Sequence, residues 1–454
     1  MNGGLRAAPE GLAVAAVSSA TLARPVTVGE ILALALPATA SALLNNAFRV
    51  IDQLAAGAVS TPAQAAIGSC TFVLIAAYGL HQLVAAGVGP LAARAAGARD
   101  DQLAGRVVNV ALVGSLGTWL VFALLTGLGA EWIAAFLGLT GETATQAAAF
   151  LRVLGVLGLP LAVAPSLDAI FVARGQTGRM MGLQVSAVVG NVLLNEVFVY
   201  RMGMGVEGAA LATVLSRLPA SALGVWLVWP PGGLSRGGDG TLRRVLRVGT
   251  PVFLNTVAYA AVYFLLLRFT ISPLGPEANA ALGIGFSALE GVTYPCFLGL
   301  SLAVGSVVGR RLGAGEPEEA ARAARLAFPL VTSIGVVAGL FFWFGARALC
   351  SPFTDDPVVL DAAVGYARAL AWSQPTVAWE ALAEGVLLGA GATRPVFWLS
   401  APLNALRVPI AWLFAFPLGM GASGVWWAIN LTSLLKAVAK GWMAWRGRWD
   451  RMRI

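Results

Sequence analysis

The stretch GMGVEG at residues 203–208 recurs as GMGASG at 419–424, a displacement of 216 positions. The same displacement carries ARAAG at 93–97 onto GRRLG at 309–313, where the second and last residues are identical in both copies. Chance can produce one such match, but a constant displacement between separate stretches indicates duplication of one structural unit.

Two further pairs of stretches extend the repeat toward both ends of the unit. GQT at 175–177 corresponds to GAT at 391–393, again displaced by 216 positions, and ALPATASALLNN at 35–46 aligns with GTPVFLNTVAYA at 249–260, displaced by 214. Two residues were therefore gained between these stretches, and otherwise the register is constant. The sequence predicts two related halves that together occupy most of the chain.

The composition indicates what kind of unit is repeated. Of 454 residues, 58% are hydrophobic and only 11% are charged, and the mean hydropathy is +0.78. A soluble globular chain has roughly 25% charged residues. The 54 glycines and 23 prolines are also typical of helices that pack in lipid. We therefore predict an integral membrane protein.

Apolar windows give the number of membrane spans. A helix needs about 20 apolar residues to cross the hydrocarbon core. Six windows precede the polar stretch PPGGLSRGGDG and six follow it. They fall near 30–57, 64–93, 106–129, 146–173, 180–200, 206–229, 244–271, 278–309, 324–346, 358–390, 395–417 and 422–445.

The basic residues predict the orientation of these spans. Counting loops alternately along twelve spans collects nearly all loop arginines and both termini on one side, whereas Arg201 and Arg347 lie on the other. An excess of arginine and lysine marks cytoplasmic loops. Both termini are therefore expected in the cytoplasm, and the net charge of +8 is explained by topology without nucleic acid as a partner.

An even number of spans per repeat means that both halves enter the membrane in the same direction. Such parallel repeats are related by a pseudo-twofold axis along the membrane normal. We predict an all-α membrane protein of two six-helix bundles: a cytoplasmic tail at 1–28, an N-lobe at 29–229, a cytoplasmic linker at 230–241, a C-lobe at 242–445 and a basic tail at 446–454.

Several motifs, in order and spacing, resemble the MATE (multidrug and toxic compound extrusion) transporters. The resemblance implies a secondary antiporter and not an enzyme. Such an antiporter exports small organic and often cationic compounds in exchange for H⁺ or Na⁺. It further implies a multi-pass protein of the bacterial inner membrane that functions as a monomer without a cofactor. The motifs are VIDQLAAG at 50–57, ARAAGARDDQLAGR at 93–106, ARGQTG at 173–178, VEGAALATVLS at 206–216, GRRLGAGEPEEAARAAR at 309–325, GAGATRP at 389–395 and ASGVWWAINLTS at 422–433.

Asp52 is the leading candidate for the residue that binds the coupling cation. An ionisable residue within a span costs free energy and marks a functional position by default, and the resemblance implies cation coupling at an aspartate in this place. Burial would favour the neutral carboxyl group, whereas Arg49, three residues earlier on nearly the same helix face, would favour the carboxylate. Both a coupling role, with H⁺ or a possible Na⁺, and a structural ion pair remain open.

The fifth predicted span carries further polar residues in NVLLNEVFVY at 191–200. Asn191 and Asn195 could face Asp52 within the N-lobe. Members of the family often have Asp four residues after the first Asn, whereas this chain has Asn195 there and a carboxylate one position later, at Glu196. One position turns the side chain by about 100° around the helix, so Glu196 is a doubtful replacement.

The C-lobe does not show the acidic pair of the sodium-coupled bacterial members. In the seventh predicted span the corresponding position falls near Tyr259 or Ala260, and in the tenth it falls near Trp379, beside Glu380. This pattern argues against a C-lobe sodium site.

Other ionisable residues within spans are secondary candidates. Glu290 lies in the eighth span, and Glu384 is the repeat equivalent of Asp168. Asp168 and Glu384, which the repeat relates, are expected to pair with arginine or to cap loops, in preference to binding substrate. Arg407 occupies the repeat position of Asn191, where a packing role is favoured.

Three alternatives differ in class from the antiporter. A lipid-linked precursor flippase of the same superfamily would have extra spans and a more basic central cavity. A membrane enzyme would need a cluster of catalytic residues at one membrane face, whereas His81 is the single histidine and the three cysteines are far apart. A receptor or scaffold would have no use for duplicated bundles. Direct ATP drive is not expected because no GxxxxGK[ST] motif exists.

Overall fold

The computed structural model describes residues 24–137, 139–230, 240–354 and 356–446, and these are almost entirely helical. The first half contains α1 Val28–Val59, α2 Thr61–Ala98, α3 Asp101–Phe136, α4 Gly141–Leu157, α5 Leu159–Ala173, α6 Thr177–Asn195 and α7 Gly205–Val228. The second half contains α8 Thr241–Leu266, α9 Pro276–Ile284, α10 Gly291–Gly313, α11 Pro317–Cys350, α12 Pro357–Ala371, α13 Gln374–Gly389, α14 Thr393–Ala415 and α15 Gly421–Trp445.

Within the described ranges, nine helical segments are long and apolar enough to cross a membrane. The pair α4 and α5, bent by 56°, makes ten if it is counted as one span. The predicted tenth and twelfth spans are not among them. The tenth is broken into α12 and α13, of 15 and 16 residues, and the twelfth, α15, contains Lys436 and Lys440. The protein is thus a multi-pass α-helical membrane protein, and the count of twelve remains a prediction.

Four apolar cores show where the halves meet. One core joins Ile31 and Leu34 of α1 to α10, α11, α13 and α14, and a second joins Val245 and Val248 of α8 to α2, α3 and α5. The other two cores are each confined to one half: Ala55 of α1 belongs to one of them, and Leu266 of α8 to the other. The lobes are therefore packed together at the end where α1 and α8 begin, and a cleft separates them at the opposite end.

The closed end carries the arginine-rich loops. α10 packs against α1 and α2 there, and α2 also packs against α8. Gly97 and Gly313, which are repeat equivalents, let the ends of α2 and α10 approach closely: a Cβ on Gly313 would lie 2.4 Å from the carbonyl oxygen of Arg94. If the predicted orientation holds, the lobes are closed toward the cytoplasm.

Most of the predicted tails and linker lies outside the described residues, which omit 1–23, 231–239 and 447–454. The described end of the predicted N-terminal tail packs against the C-lobe. Val26 is fully buried, and its N–H donates to Glu319 at 2.6 Å, while Arg311 donates to the carbonyl oxygen of Arg24 at 2.9 Å. These last residues of the segment are therefore part of the contact between the lobes.

Candidate functional site

Asp52 is a residue of α1, and its side chain lies inside the N-lobe, against α6 and α7. Its side chain is 8% exposed and accepts hydrogen bonds from the Thr213 hydroxyl at 2.7 Å and from Asn191 Nδ2 at 3.4 Å. Asn191 also donates to the Thr213 oxygen at 3.1 Å. Three helices thus contribute one polar side chain each to the centre of a buried cluster.

The two asparagines provide oxygen atoms without a partner. Asn195 donates to the backbone carbonyl of Asn191 at 3.0 Å, which turns its side chain along α6 toward the cluster. The side-chain oxygens of both residues are buried and accept no hydrogen bond from any described residue. Buried polar atoms normally have a partner. A carboxylate beside two free amide oxygens is a set of hard oxygen donors, the type of ligand that hard cations prefer, and the carboxylate by itself can carry a proton.

Arg217 is the described basic residue that acts on this cluster. It lies one helical turn after Thr213 on α7, interacts electrostatically with both Asp52 and Asp168, and places its guanidinium 3.5 Å from the centre of the Phe48 ring. Its partners are therefore spread between two carboxylates and an aromatic face. The carboxylate of Asp168 accepts a hydrogen bond from Gln184 at 3.0 Å.

Two of the predicted site residues are not part of the described cluster. The side chain of Arg49 lies outside the described residues. Glu196 begins a π-helical segment, Glu196–Arg201, and forms an ion pair with Arg201 at 3.2 Å with both side chains more than half exposed. The turn of about 100° between neighbouring helical positions separates Glu196 from the face that carries Asn191 and Asn195.

The acidic residues of the C-lobe form a buried ion-pair network with lysines of α15. Lys440 lies 2.8 Å from Glu380 and 2.6 Å from Glu384, and Lys436 lies 3.1 Å from Glu380. Glu384 and Asp168 were expected to pair with arginine or to cap loops. Glu384 pairs with a lysine instead, and Asp168 accepts its hydrogen bond from Gln184 while Arg217 acts on it electrostatically. Charges that lie in a low-dielectric interior must be neutralised locally, and this network does so between α13 and α15.

Glu290 and Arg407 belong to a second polar group in the C-lobe. Tyr366 donates its hydroxyl to Glu290 at 2.6 Å. Arg407 is 2% exposed and donates to Thr432 at 2.9 Å and to Tyr263 at 3.0 Å, and it interacts electrostatically with Glu290. The packing role expected for Arg407 is consistent with these contacts, which join α14 to α8 and α15.

The arginine of the N-lobe cluster and the arginine of the C-lobe group lie on helices that are not repeat equivalents. Arg407 on α14 occupies the position of Asn191, and Ser433 on α15 occupies the position of Arg217. In the C-lobe these two equivalents contact each other, because Arg407 Nη2 lies 3.5 Å from the Ser433 hydroxyl. The lobes therefore share a backbone plan but have different charges at equivalent places.

Among the residues of these clusters that sequence reasoning missed are Thr213, Arg217, Lys436 and Lys440. A signal existed for the last three, since each is an ionisable residue within an apolar window, the same criterion that selected Asp52. Thr213 lies within the motif VEGAALATVLS at 206–216, but a single threonine in a span carries no signal of its own.

Two repeat-related helical bundles around a cleft are the architecture of a membrane transporter. The chain belongs to the MatE family. The family model matches residues 37–197 and again 251–413, and the two matches coincide with the two halves found from the internal repeat.

Relatives and solved structures agree with this family assignment. The chain is 29% identical to the "Probable multidrug resistance protein NorM" of Pseudomonas syringae pv. tomato, over 90% of this chain and 92% of the relative. It is 23% identical to the "Multidrug export protein MepA" of Staphylococcus aureus, over 80% of each.

Two solved structures have the same fold. A MOP superfamily transporter from Pyrococcus furiosus superposes with a TM-score of 0.86 at 22% identity and covers 93% of this chain and 96% of its own. An outward-facing multidrug resistance transporter of the MATE family also gives 0.86 at 22% identity, covering 92% and 95%.

Proposed function

We propose that this protein is a secondary active antiporter that exports organic, often cationic, compounds in exchange for H⁺ or Na⁺. The multidrug names of its relatives support the choice of substrate. The observation that carries the proposal is the N-lobe cluster, in which the buried Asp52 carboxylate stands beside the unpartnered amide oxygens of Asn191 and Asn195.

The coupling follows from differential binding. A ligand shifts a conformational equilibrium only if it binds one state better than the other. A cation or proton on Asp52 removes a negative charge from the interior of the N-lobe and changes the contacts among α1, α6 and α7, which all contribute to the cluster. α1 also takes part in the core that closes the lobes at one end. Occupancy at Asp52 can thus change the relative stability of the closed and open ends.

Export then proceeds by alternating access. In the described arrangement the cleft opens away from the arginine-rich loops, and the predicted orientation makes this the outward-facing state. Binding of the coupling cation to the N-lobe cluster favours the state that opens inward, where substrate enters the cleft. We further propose that one chain in the bacterial inner membrane performs the whole cycle, with both termini in the cytoplasm.

The test is reconstitution of the full chain into proteoliposomes, with pH and sodium gradients imposed separately and ethidium as the first substrate. Wild-type protein is expected to move ethidium against its gradient when one of the two cation gradients is present. Asp52→Asn keeps the size of the side chain but removes its charge, and we expect it to abolish ethidium-dependent cation flux.

Glu196→Gln is the matched control, because its carboxylate follows Asn195 directly but lies on the exposed surface, and we expect wild-type flux. If Asp52→Asn exchanges ethidium as fast as the wild type does, Asp52 has no coupling role. If the wild type shows no flux under either gradient, the antiporter function is wrong.

A further inference from the structure

Two tyrosines occupy equivalent places in the two halves. Tyr78 on α2 and Tyr294 on α10 are separated by 216 positions, the displacement of the internal repeat. Both side chains are about half exposed, at 53% and 51%.

The helix faces show that these tyrosines point inward and not toward lipid. Eleven residues make about three helical turns, so Gly89 lies on the face of Tyr78, and Gly305 lies on the face of Tyr294. A Cβ on Gly89 would lie 3.9 Å from the Ala169 side chain, and one on Gly305 would lie 2.7 Å from the carbonyl oxygen of Gly385. Each tyrosine therefore faces the helix that carries its own lobe's acidic residue, Asp168 or Glu384.

The two tyrosines also lie near each other across the lobes. α2 packs against α10, and the two hydroxyl groups are close enough to interact electrostatically. Along α2, the core at the closed end begins with Val84, six residues after Tyr78; along α10, the other core begins with Phe297, three residues after Tyr294. The tyrosines thus stand just beyond the apolar cores of the closed end, at the level where Asn46 of α1 still donates to the carbonyl oxygen of Gly291 of α10 at 3.2 Å, and we place the floor of the cleft there.

Asp168 and Glu384, the acidic residues on the helices that the two rings face, differ in how fully basic residues neutralise them. Glu384 lies 2.6 Å from Lys440, which neutralises it, whereas Asp168 accepts its hydrogen bond from the neutral amide of Gln184. Tyr78 lies within electrostatic range of Asp168, and Tyr294 within range of Glu384. Arg217 acts on both Asp52 and Asp168, so one guanidinium faces two carboxylates in the N-lobe, whereas two lysines face Glu380 and Glu384 in the C-lobe. The negative potential at the floor of the cleft is therefore stronger on the N-lobe side.

We propose that Tyr78 and Tyr294 form a binding site for planar aromatic cations, in which the ligand contacts both rings and directs its positive charge toward Asp168. The ring faces attract a cation through their quadrupoles, and one ring from each lobe lets the same ligand contact both halves. This inference rests on the proposed transport function and names the residues that select its substrate class.

The test is a titration of the purified full-length protein with ethidium, followed by fluorescence anisotropy. We expect Tyr78→Leu and Tyr294→Leu each to weaken binding about tenfold, because a ring face in a partly desolvated site is lost. Tyr78→Phe and Tyr294→Phe keep the rings and should bind within twofold of the wild type. Tyr200→Leu is the control, since Tyr200 is also half exposed but follows α6, outside the cleft floor.

Asp168→Asn is expected to weaken ethidium binding more than Glu384→Gln does, because Glu384 is already paired with Lys440. Unchanged affinity in both leucine variants, or equal losses in the leucine and phenylalanine variants, would overturn the tyrosine site. A wild type that exports other compounds but does not bind ethidium would overturn it as well. Absence of all cation-driven flux would instead contradict the antiporter function, so the two failures are distinguishable.

Discussion

A methyl group placed on Gly97 would lie 1.9 Å from the backbone carbonyl oxygen of Arg310. The equivalent contact, between Gly313 and Arg94, is formed by the other copy of the repeat. Two backbones from different lobes therefore touch at the closed end, and no side chain larger than hydrogen fits between them. The contact between the lobes depends on this approach in both copies.

Gly97→Ala should open this end of the molecule. Overpacking at a tight contact costs about 1–3 kcal/mol, and about 1.4 kcal/mol changes a two-state population tenfold. The readout is maleimide labelling of Ala93→Cys, which is 1% exposed at the same interface, in a background without Cys70, Cys296 and Cys350. We expect labelling at least about tenfold faster than without the Gly97 change.

Gly117→Ala serves as the control, because a Cβ there would meet no atom within 4 Å. Labelling of Ala93→Cys should then be as slow as in the parent protein. Equal labelling rates in the Gly97 and Gly117 variants would show that the contact does not hold the lobes together.

Glu30→Gln should weaken the same closed end through charge. Glu30 on α1 lies 3.6 Å from Arg310 and 3.8 Å from Arg311, whose side chains are only 6% and 2% exposed. Removing one partner of a buried ion pair can cost about 3–5 kcal/mol, and at these longer separations we expect about 1 kcal/mol. The melting temperature in detergent should fall, and labelling of Ala93→Cys should accelerate.

Glu131→Gln removes an exposed ion pair, with Arg152 at 2.8 Å, and should change neither readout because such pairs contribute little. An equal fall in melting temperature for both variants would contradict a specific role of Glu30 at the closed end.

Lys440→Met should destabilise the C-lobe more than Lys436→Met. Lys440 neutralises both Glu380 and Glu384, whereas loss of Lys436 still leaves Glu380 with a partner. Loss of one partner from a buried pair costs about 3–5 kcal/mol. Adding Glu384→Gln to Lys440→Met should restore part of the melting temperature, because one unpaired charge is removed. If the double variant melts below Lys440→Met, the network is not the cause.

Thr213→Val should slow coupled exchange without abolishing it. The change removes the hydroxyl that donates to Asp52 at 2.7 Å and leaves the weaker bond from Asn191. A hydrogen bond to a charged group contributes about 1.5–3 kcal/mol, so we expect the initial rate in proteoliposomes to fall at least tenfold. Thr213→Ser keeps the donor and should retain most of the rate.

Ser216→Ala on the same helix is the matched control, because its hydroxyl bonds only to the carbonyl oxygen of Thr213. If Thr213→Val and Thr213→Ser slow exchange equally, the shape of the site matters more than the hydrogen bond to Asp52.

The repeat made the general plan of the molecule predictable from sequence. A displacement of 216 positions relates Gly97 to Gly313 and Asp168 to Glu384, and helical geometry separates Glu196 from Asn195 before any coordinates are known. These inferences use only period and position, which the chain carries directly.

The pairing of charges could not be predicted in the same way. Arg217 and Lys440 were visible as ionisable residues in apolar windows, but which carboxylate each approaches depends on the rotation of α7 and α15 about their axes. Neither helix has a strong amphipathic pattern, since lipid and the protein interior are both apolar, so the sequence does not report that rotation. Thr213 was hidden for the same reason.

The arginine that acts on the polar cluster lies on α7 in one lobe and on α14 in the other, and this difference has a consequence for how such a molecule can arise. In a dimer of identical subunits every substitution appears twice, so a cation-binding residue and its replacement by arginine cannot coexist at equivalent positions. Fusion of two copies into one chain removes this restriction. Asn191 can then face Asp52 in one half while Arg407 contacts Tyr263 and Thr432 in the other, so that two halves built on one backbone plan carry different charges.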